Sequence, residues 1–483
     1  MKALQVLAVT SEMFPLVKTG GLADVVGALP EALLREGVRV RTLIPGYPTV
    51  LAAVPATKVM RIGGSLFGGQ AQLLSGRVGT ANLLVLDAPH LFARSGGPYA
   101  DHRGRAWPDN AIRFAALSKV AADIAMGALP GFAPDLVHAH DWQAGLTFAY
   151  LRFASGARRP GTVMTIHNLA FQGQFPAETF AHLGLPHEAF AIDGIEYHGG
   201  ISYLKAGLHY ADRVTTVSPS YAAEIRTAEA GMGLDGVIRA RGADVSGILN
   251  GIDTEAWNPE TDPFLAATFD AARIDPRAAD KVDLQVRFGL DQDARSPLFG
   301  VVSRLTWQKG LDLLLEALPT LLGAGAQLVL LGSGDAELEG AFRAVASAYP
   351  ERIGCMIGYD EEMSHRVQAG SDALLAPSRF EPCGLTQLCA LRYGAVPVVA
   401  RVGGLSDSVI DANPAALGAG VATGIQFGPV TTEMLRVAIE RTVALYNQPS
   451  VWRRIQANGM AADVSWRDPA RRYAALFRDL LSK

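Results

Sequence analysis

Residues Leu298–Leu331 read LFGVVSRLTWQKGLDLLLEALPTLLGAGAQLVLL, and this stretch decides the fold. Leu298 to Arg304 has the length and apolarity of a strand, Leu311 to Leu322 carries leucines at helical spacing, and Gln327 to Leu331 is apolar again. Short apolar runs joined by a helix-period segment predict parallel strands linked by a crossover helix. The alternation continues through a helix at Ala336–Ala348, a strand at Ile353–Ile357 and a helix near Glu361–Ala369. A strand at Ala373–Pro377, a helix near Leu385–Tyr393 and a strand at Val396–Ala400 follow, which completes the pattern of a doubly wound domain.

The N-terminal half has the same character. Strands are expected at Leu4–Val9, Val38–Ile44, Leu136–Ala139, Val163–His167 and Arg213–Val217, with another near Leu83–Asp87 and a helix at Leu22–Glu36. Between Asn250 and Ser296 the pattern breaks at Trp257-Asn-Pro, Thr261-Asp-Pro and an acidic, proline-punctuated stretch. Domains are therefore expected at 1–250 and 251–465, with a last helix near Pro469–Leu481, within 466–483, that crosses back to the first.

A chain of 483 residues exceeds one ordinary core, so two or three domains with a cleft are expected. With 49% hydrophobic and 19% charged residues, disorder and coiled coil are excluded. The net charge of −4 has no long run of either sign, so nucleic acid is not an expected partner. Three cysteines without a C-x-x-C pair argue against a disulfide scaffold or structural zinc and fit a reducing cytoplasm. The first apolar run stops at Ser11-Glu12, and no unbroken apolar stretch is long enough for a membrane span.

Several loops at predicted strand ends could carry chemistry. In Lys18-Thr19-Gly20-Gly21, glycines allow close approach, a helix start offers N–H groups and Lys18 adds charge, so the loop is either an anion site or a plain turn with a solvated lysine. Arg304 and Lys309, five residues apart, are either a diphosphate clamp or a solvated pair. At Pro377–Gln387 a strand end leads into a helix whose N–H groups at Gly384, Leu385 and Thr386 suit a phosphate. Glu381 beside them suits sugar hydroxyls or positive charge at a reacting carbon, unless it merely sits on the surface near a helix cap. His138, His140 and His167 lie at strand ends, and a His138–His140 metal pair lacks completing ligands, so no metal is expected. Asp291-Gln292-Asp293 falls in a polar loop and reads as solvated. Finally, Gly20-Gly21-Leu22-Ala23-Asp24 and Gly403-Gly404-Leu405-Ser406-Asp407 share the pattern Gly-Gly-Leu-x-Asp, by relatedness or by coincidence.

Through KTGGLADVVGALP, HAHDWQ, TIHNLAFQG, SRLTWQKG and SRFEPCGLTQ, in that order, the sequence resembles the bacterial glycogen synthase and plant starch synthase family. The resemblance implies an α/β architecture of two Rossmann-like doubly wound domains facing a deep cleft, the GT-B fold. It implies a cytoplasmic, retaining glucosyltransferase that moves glucose from ADP-glucose, a substrate and not a cofactor, to the non-reducing 4-OH of an α-1,4-glucan such as glycogen. Lys18, Gly20 and Gly21 then resemble donor contacts supported by Asp24, and Arg304 and Lys309 a diphosphate clamp. His167 resembles a group at the anomeric centre, Glu381 the family's essential carboxylate, and Gly384, Leu385 and Thr386 the holder of the distal phosphate. Tyr99, Asp141 and Asn250 resemble sugar and cleft contacts. A nucleotide-sugar epimerase on the same fold and a non-catalytic glucan-binding regulator are the alternatives.

Overall fold

The apolar runs form parallel strands covered on both faces, in a computed structural model that describes residues 3–55, 57–156 and 159–482. The chain divides into two compact units, Met1–Asn250 with Trp466–Lys483, and Gly251–Ser465. Strands of the first are β1 (Leu4–Val9), β2 (Val38–Pro45), β3 (Thr57–Arg61), β4 (Gln72–Val78), β5 (Ala81–Asp87) and β6 (Leu136–His140). They continue as β7 (Gly161–Ile166), β8 (Gln174–Phe175), β9 (Glu196–Tyr197), β10 (Gly200–Ser202), β11 (Arg213–Thr216) and β12 (Val245–Gly247).

Nine of these strands form one sheet in the order β12-β11-β7-β6-β1-β2-β5-β4-β3, and β8-β10-β9 form a small second one. Within the large sheet only β4 runs antiparallel to its neighbours. The chain leaves β1 for β2 on one side and β6 for β7 on the other. Loops after β1 and β6 thus diverge at the carboxyl edge, where open α/β sheets bind ligands.

The final helix, Arg467–Leu481, belongs to this first unit. Its apolar stripe, Ala470, Tyr473, Ala474 and Phe477, joins Val6, Ala8, Leu29, Leu136 and Val163 in one buried cluster. Those residues lie on β1, β6, β7 and the helix Gly21–Arg35, so the last helix covers a sheet face that would otherwise meet water.

The second unit carries β13 (Leu298–Val302), β14 (Gln327–Gly332), β15 (Ile353–Ile357), β16 (Ala373–Ala376), β17 (Val396–Ala400) and β18 (Ile425–Phe427). All are parallel, in the order β15-β14-β13-β16-β17-β18. Here the reversal of direction falls between β13 and β16, and the loops leaving these two strands open onto it.

Two differences from the sequence reading concern boundaries and edges. The strands expected to reach Arg304 and His167 end at Val302 and Ile166, so both side chains stand on loops, past the last sheet hydrogen bonds. The β3–β4 hairpin and the three-stranded sheet were not anticipated; their short, polar-interrupted segments lack the continuous apolar signal of the buried parallel strands.

Phe477 is fully buried. Phe477→Ala is expected to destabilise the first unit by about 3 to 5 kcal/mol, read as a lower unfolding temperature for that unit. An unchanged melting profile would show that the last helix contributes no core.

Candidate active site

In the first unit, functional side chains gather at the loops following β1, β6 and β7. Glu12, just past β1 and buried, accepts hydrogen bonds from the Thr19 backbone N–H (2.5 Å), from Thr19 Oγ1 (2.6 Å) and from the Tyr99 hydroxyl. A second contact joins Tyr99 to Ser11 Oγ at 2.7 Å. One carboxylate thereby fixes the loop that carries Lys18, Gly20 and Gly21. Lys18 Nζ pairs with Asp24 Oδ1 at 2.8 Å. Gly20 caps the helix Gly21–Arg35 without a side-chain bond, and a Cβ there would meet nothing within 4 Å. A ligand could therefore approach the backbone at Gly20 itself, just ahead of the helix start.

Behind this loop, β6 presents His138 and His140 on one face, and β7 presents Thr165 followed by His167. His140 Nδ1 lies 3.0 Å from His167 Nε2. His138 Nε2 meets Thr165 Oγ1 at 2.6 Å, which meets Thr215 Oγ1 at 2.6 Å. Asp141, in the left-handed backbone region at φ 54°, accepts the His167 backbone N–H at 2.7 Å. Asp141 and His167 are thus brought together, whereas Tyr99 is tied to Glu12 instead. Asn250 is buried, with an Oδ1 that finds no partner among the described residues.

In the second unit the loops after β13 and β16 are fastened to each other. Arg379 N–H donates to Gln308 O at 2.9 Å, and Gln308 Nε2 donates to Phe380 O at 3.2 Å. The Arg379 guanidinium grips Asp312 in a two-pronged pair (2.7 and 2.6 Å) and lies over the exposed Trp307 ring. Gly310, at φ 67°, lets the chains approach: a Cβ there would sit 2.0 Å from Pro377 O. Across this seam Lys309 Nζ and Glu381 Oε2 form a direct ion pair, and Ser378 Oγ donates to the same carboxylate oxygen at 3.1 Å. The sequence reading assigned Lys309 and Glu381 separate tasks; their contact is a feature that spacing alone did not show.

Arg304 is exposed and makes no ion pair among the described residues. Gly384 takes φ 72°, and Gln387 Nε2 ties down this turn by donating to Cys383 O and Gly384 O, each at 3.0 Å. The helix Thr386–Tyr393 starts from Leu385 without a side-chain cap, and the residues at its start, Gly384, Leu385 and Thr386, are half-buried. Gly403, at φ 41°, would set a Cβ 2.0 Å from Glu381 O, and Gly404 N–H donates to that carbonyl at 3.1 Å. Cys383 is buried behind this loop, not presented on it.

Asp293 of the Asp-x-Asp loop accepts only local bonds from Arg295 N–H and Ser296 Oγ. Among the described residues no group of three or more His, Cys, Asp or Glu side chains could hold a metal ion, and no helix is long and apolar enough to cross a membrane. Sequence reasoning missed Glu12; its signal was a carboxylate directly after the first strand, at the ligand-binding edge.

The chain matches the starch synthase catalytic domain family over residues 5–240 and glycosyl transferases group 1 over 284–455. It is 60% identical over 482 residues to a glycogen synthase of Rhodopseudomonas palustris (strain BisA53), covering 100% of this chain and 98% of that protein. It is 58% identical over 481 residues to a glycogen synthase of Acidiphilium cryptum (strain JF-5), covering 99% of this chain and 100% of the relative. Among solved structures, the catalytic domain of starch synthase IV from Arabidopsis thaliana, bound to ADP and acarbose, superposes with a TM-score of 0.88 at 31% identity, covering 100% of both chains.

The buried cluster sets an acid response. Burial pushes His138 and His167 down to about 3, and His140 well below its ordinary value, with neighbouring imidazoles adding to the effect on His138 and His140. Burial pushes Asp141 up to about 7 against the hydrogen bonds from the His167 and Asn168 N–H groups. Between about pH 3 and 6.5 the unfolded chain binds more protons on these histidines, so stability falls on acidification. Asp141 acts oppositely between about pH 4 and 7, where the native carboxyl holds the extra proton. The unfolding temperature is expected to drop from about pH 6.5 to 4, three histidines outweighing one carboxyl, and to drop more steeply in Asp141→Asn. Parallel profiles for the two proteins would contradict this assignment.

Proposed function

The chain belongs to the glycogen synthase family, and from that premise we propose that it moves glucose from ADP-glucose to the non-reducing 4-OH of an α-1,4-glucan with retention at the anomeric carbon. It is a glycosyltransferase of the GT-B class. The observation that carries the reading is the Lys309–Glu381 pair at the reversal between β13 and β16, with the exposed Arg304 on the same loop as Lys309 and an uncapped helix start a few residues after Glu381. Two cations and a helix N-terminus suit a diphosphate, and a buried carboxylate suits a sugar carbon that becomes positive.

In this reading Arg304 and Lys309 meet the negative charge that grows on the departing diphosphate. Gly384, Leu385 and Thr386 hold the distal phosphate by their N–H groups. Glu381 gains favourable interaction as positive charge develops at C1, and its contacts with Lys309 and Ser378 hold the carboxylate in place. His167 orients the glucosyl unit, and Lys18, Gly20 and Gly21, steadied by Glu12 and Asp24, supply further donor contacts. Tyr99, Asp141 and Asn250 are read as sugar contacts, with the Tyr99 hydroxyl already shared by Glu12 and Ser11. The solved relative's ADP and acarbose support an adenine nucleotide and a glucan as the two ligands. Cation charge already available to the diphosphate supports a reaction without a divalent metal, and three cysteines without a C-x-x-C pair fit the cytoplasm.

Release of ADP from ADP-glucose should require glycogen and should exceed release of UDP from UDP-glucose. Nucleotide release at an equal rate without glucan would overturn the reading in favour of an epimerase-type reaction, and no release with any sugar donor would favour a glucan-binding regulator. EDTA should leave turnover intact; loss restored by magnesium would refute the metal-free mechanism. Lys309→Ala should lower kcat by about a hundredfold to a thousandfold, since a preorganised charge at the leaving group is removed. Glu381→Gln should lower kcat while ADP binding, measured by calorimetry, persists. Wild-type turnover in either folded variant would remove that residue from the chemistry.

A further inference from the structure

His140 has no task in the reaction as derived above. Its place is nevertheless specific: it ends β6, its register partner on β7 is Thr165, and its Nδ1 points at the Nε2 of His167, 3.0 Å away. The ring cannot drift. His138, two residues back on the same face, lies 4.1 Å from it centroid to centroid. His138 is in turn held by Thr165 at 2.6 Å and backed by Tyr473 and Phe477 of the last helix, each 5.5 Å away. On the other side, Asp141 anchors the His167 backbone. Three imidazoles and two hydroxyls therefore form one packed cluster with His167 at its end.

We propose that His140 is a positioning residue that fixes the ring orientation of His167 and ties its tautomer to its own. This inference rests on the reading of His167 as a sugar-facing group. Both rings are neutral because burial opposes their charging. A nitrogen-to-nitrogen hydrogen bond between neutral imidazoles contains a single proton. If His140 Nδ1 carries it, His167 Nε2 accepts, and the His167 proton resides on Nδ1, which then offers a donor. If His167 Nε2 carries it, Nδ1 offers a lone pair. Either way the nitrogen left for the substrate takes its role from the partner of the other nitrogen. A free surface histidine would exchange between the two forms. Here the contact couples the two rings, so His167 cannot change form unless His140 changes with it, and His167 meets a sugar hydroxyl without first reorganising.

The test is ¹⁵N NMR of the full-length protein labelled at histidine, with the His167 signals identified by their loss in His167→Gln. In the wild type they should show one protonated and one unprotonated nitrogen, not an averaged pair. His140→Phe keeps an aromatic volume but offers no nitrogen: the two shifts should move towards each other, and kcat should fall about tenfold, the worth of roughly one hydrogen bond. The Kd for ADP should stay within about twofold. His140→Asn, whose amide lies near the position of Nδ1, should recover most of the lost kcat. Averaged His167 nitrogens in the wild type would overturn the proposal even if neither variant folds. So would wild-type kcat and unmoved shifts in folded His140→Phe. Full activity in His167→Ala would instead overturn the underlying reading of His167, which separates the two failures.

Discussion

Parallel pairing is the constraint on which the rest depends. A parallel neighbour can be reached only by carrying the chain back across a face of the sheet, so each strand needs a crossover and each crossover covers apolar surface. All the loops leaving the carboxyl ends consequently emerge on one edge. In the first unit that edge collects Glu12, Lys18, Asp141 and His167; in the second it collects Arg304, Lys309 and Glu381. Residues far apart in sequence share a site because the topology offers one edge for them. The glycines at 310 and 403, with positive φ and backbone oxygens about 2 Å from where a Cβ would be, show how closely the neighbouring loops are drawn together there.

The two copies of Gly-Gly-Leu-x-Asp show one pattern put to opposite uses. At Gly20 the missing side chain leaves open space in front of a helix start, so a ligand can approach the backbone. At Gly403 and Gly404 the missing side chains admit the backbone of Glu381 to Cys383, and the motif acts as a rear support for the carboxylate. Sequence similarity alone does not distinguish these roles, because both need a helix start without a Cβ in the way. What differs is which neighbour occupies the freed volume.

Most of the architecture was legible in the sequence because buried parallel strands are written as continuous apolar runs. β1, β15 and β17 coincide with the expected spans, and so does the helix Ala336–Ala348. Segments that were not legible owe their order to neighbours: β3 and β4 pair as an edge hairpin, and β8 to β10 are only two or three residues each. The site was legible to a similar depth. Glycine turns and charged residues at strand ends were recognisable, whereas the union of Lys309 with Glu381 and the grip of Glu12 on Thr19 are contacts across loops that periodicity does not encode. The His138-x-His140 spacing raised a metal pair only to lack its completing ligands; in the structure the two rings join a buried imidazole cluster, because Thr165 on β7 and His167 just past it supply the partners.

The last helix has a further consequence for how the protein is made. The first unit is interrupted by the whole of the second, and its core cluster closes only when Tyr473 and Phe477 arrive. During vectorial synthesis the ribosome must finish Gly251–Ser465 before this helix exists, so the second unit can reach its native packing while the first still exposes the face of β1, β6 and β7. The same segment backs His138, so the histidine cluster cannot assume its final packing until this helix has been made.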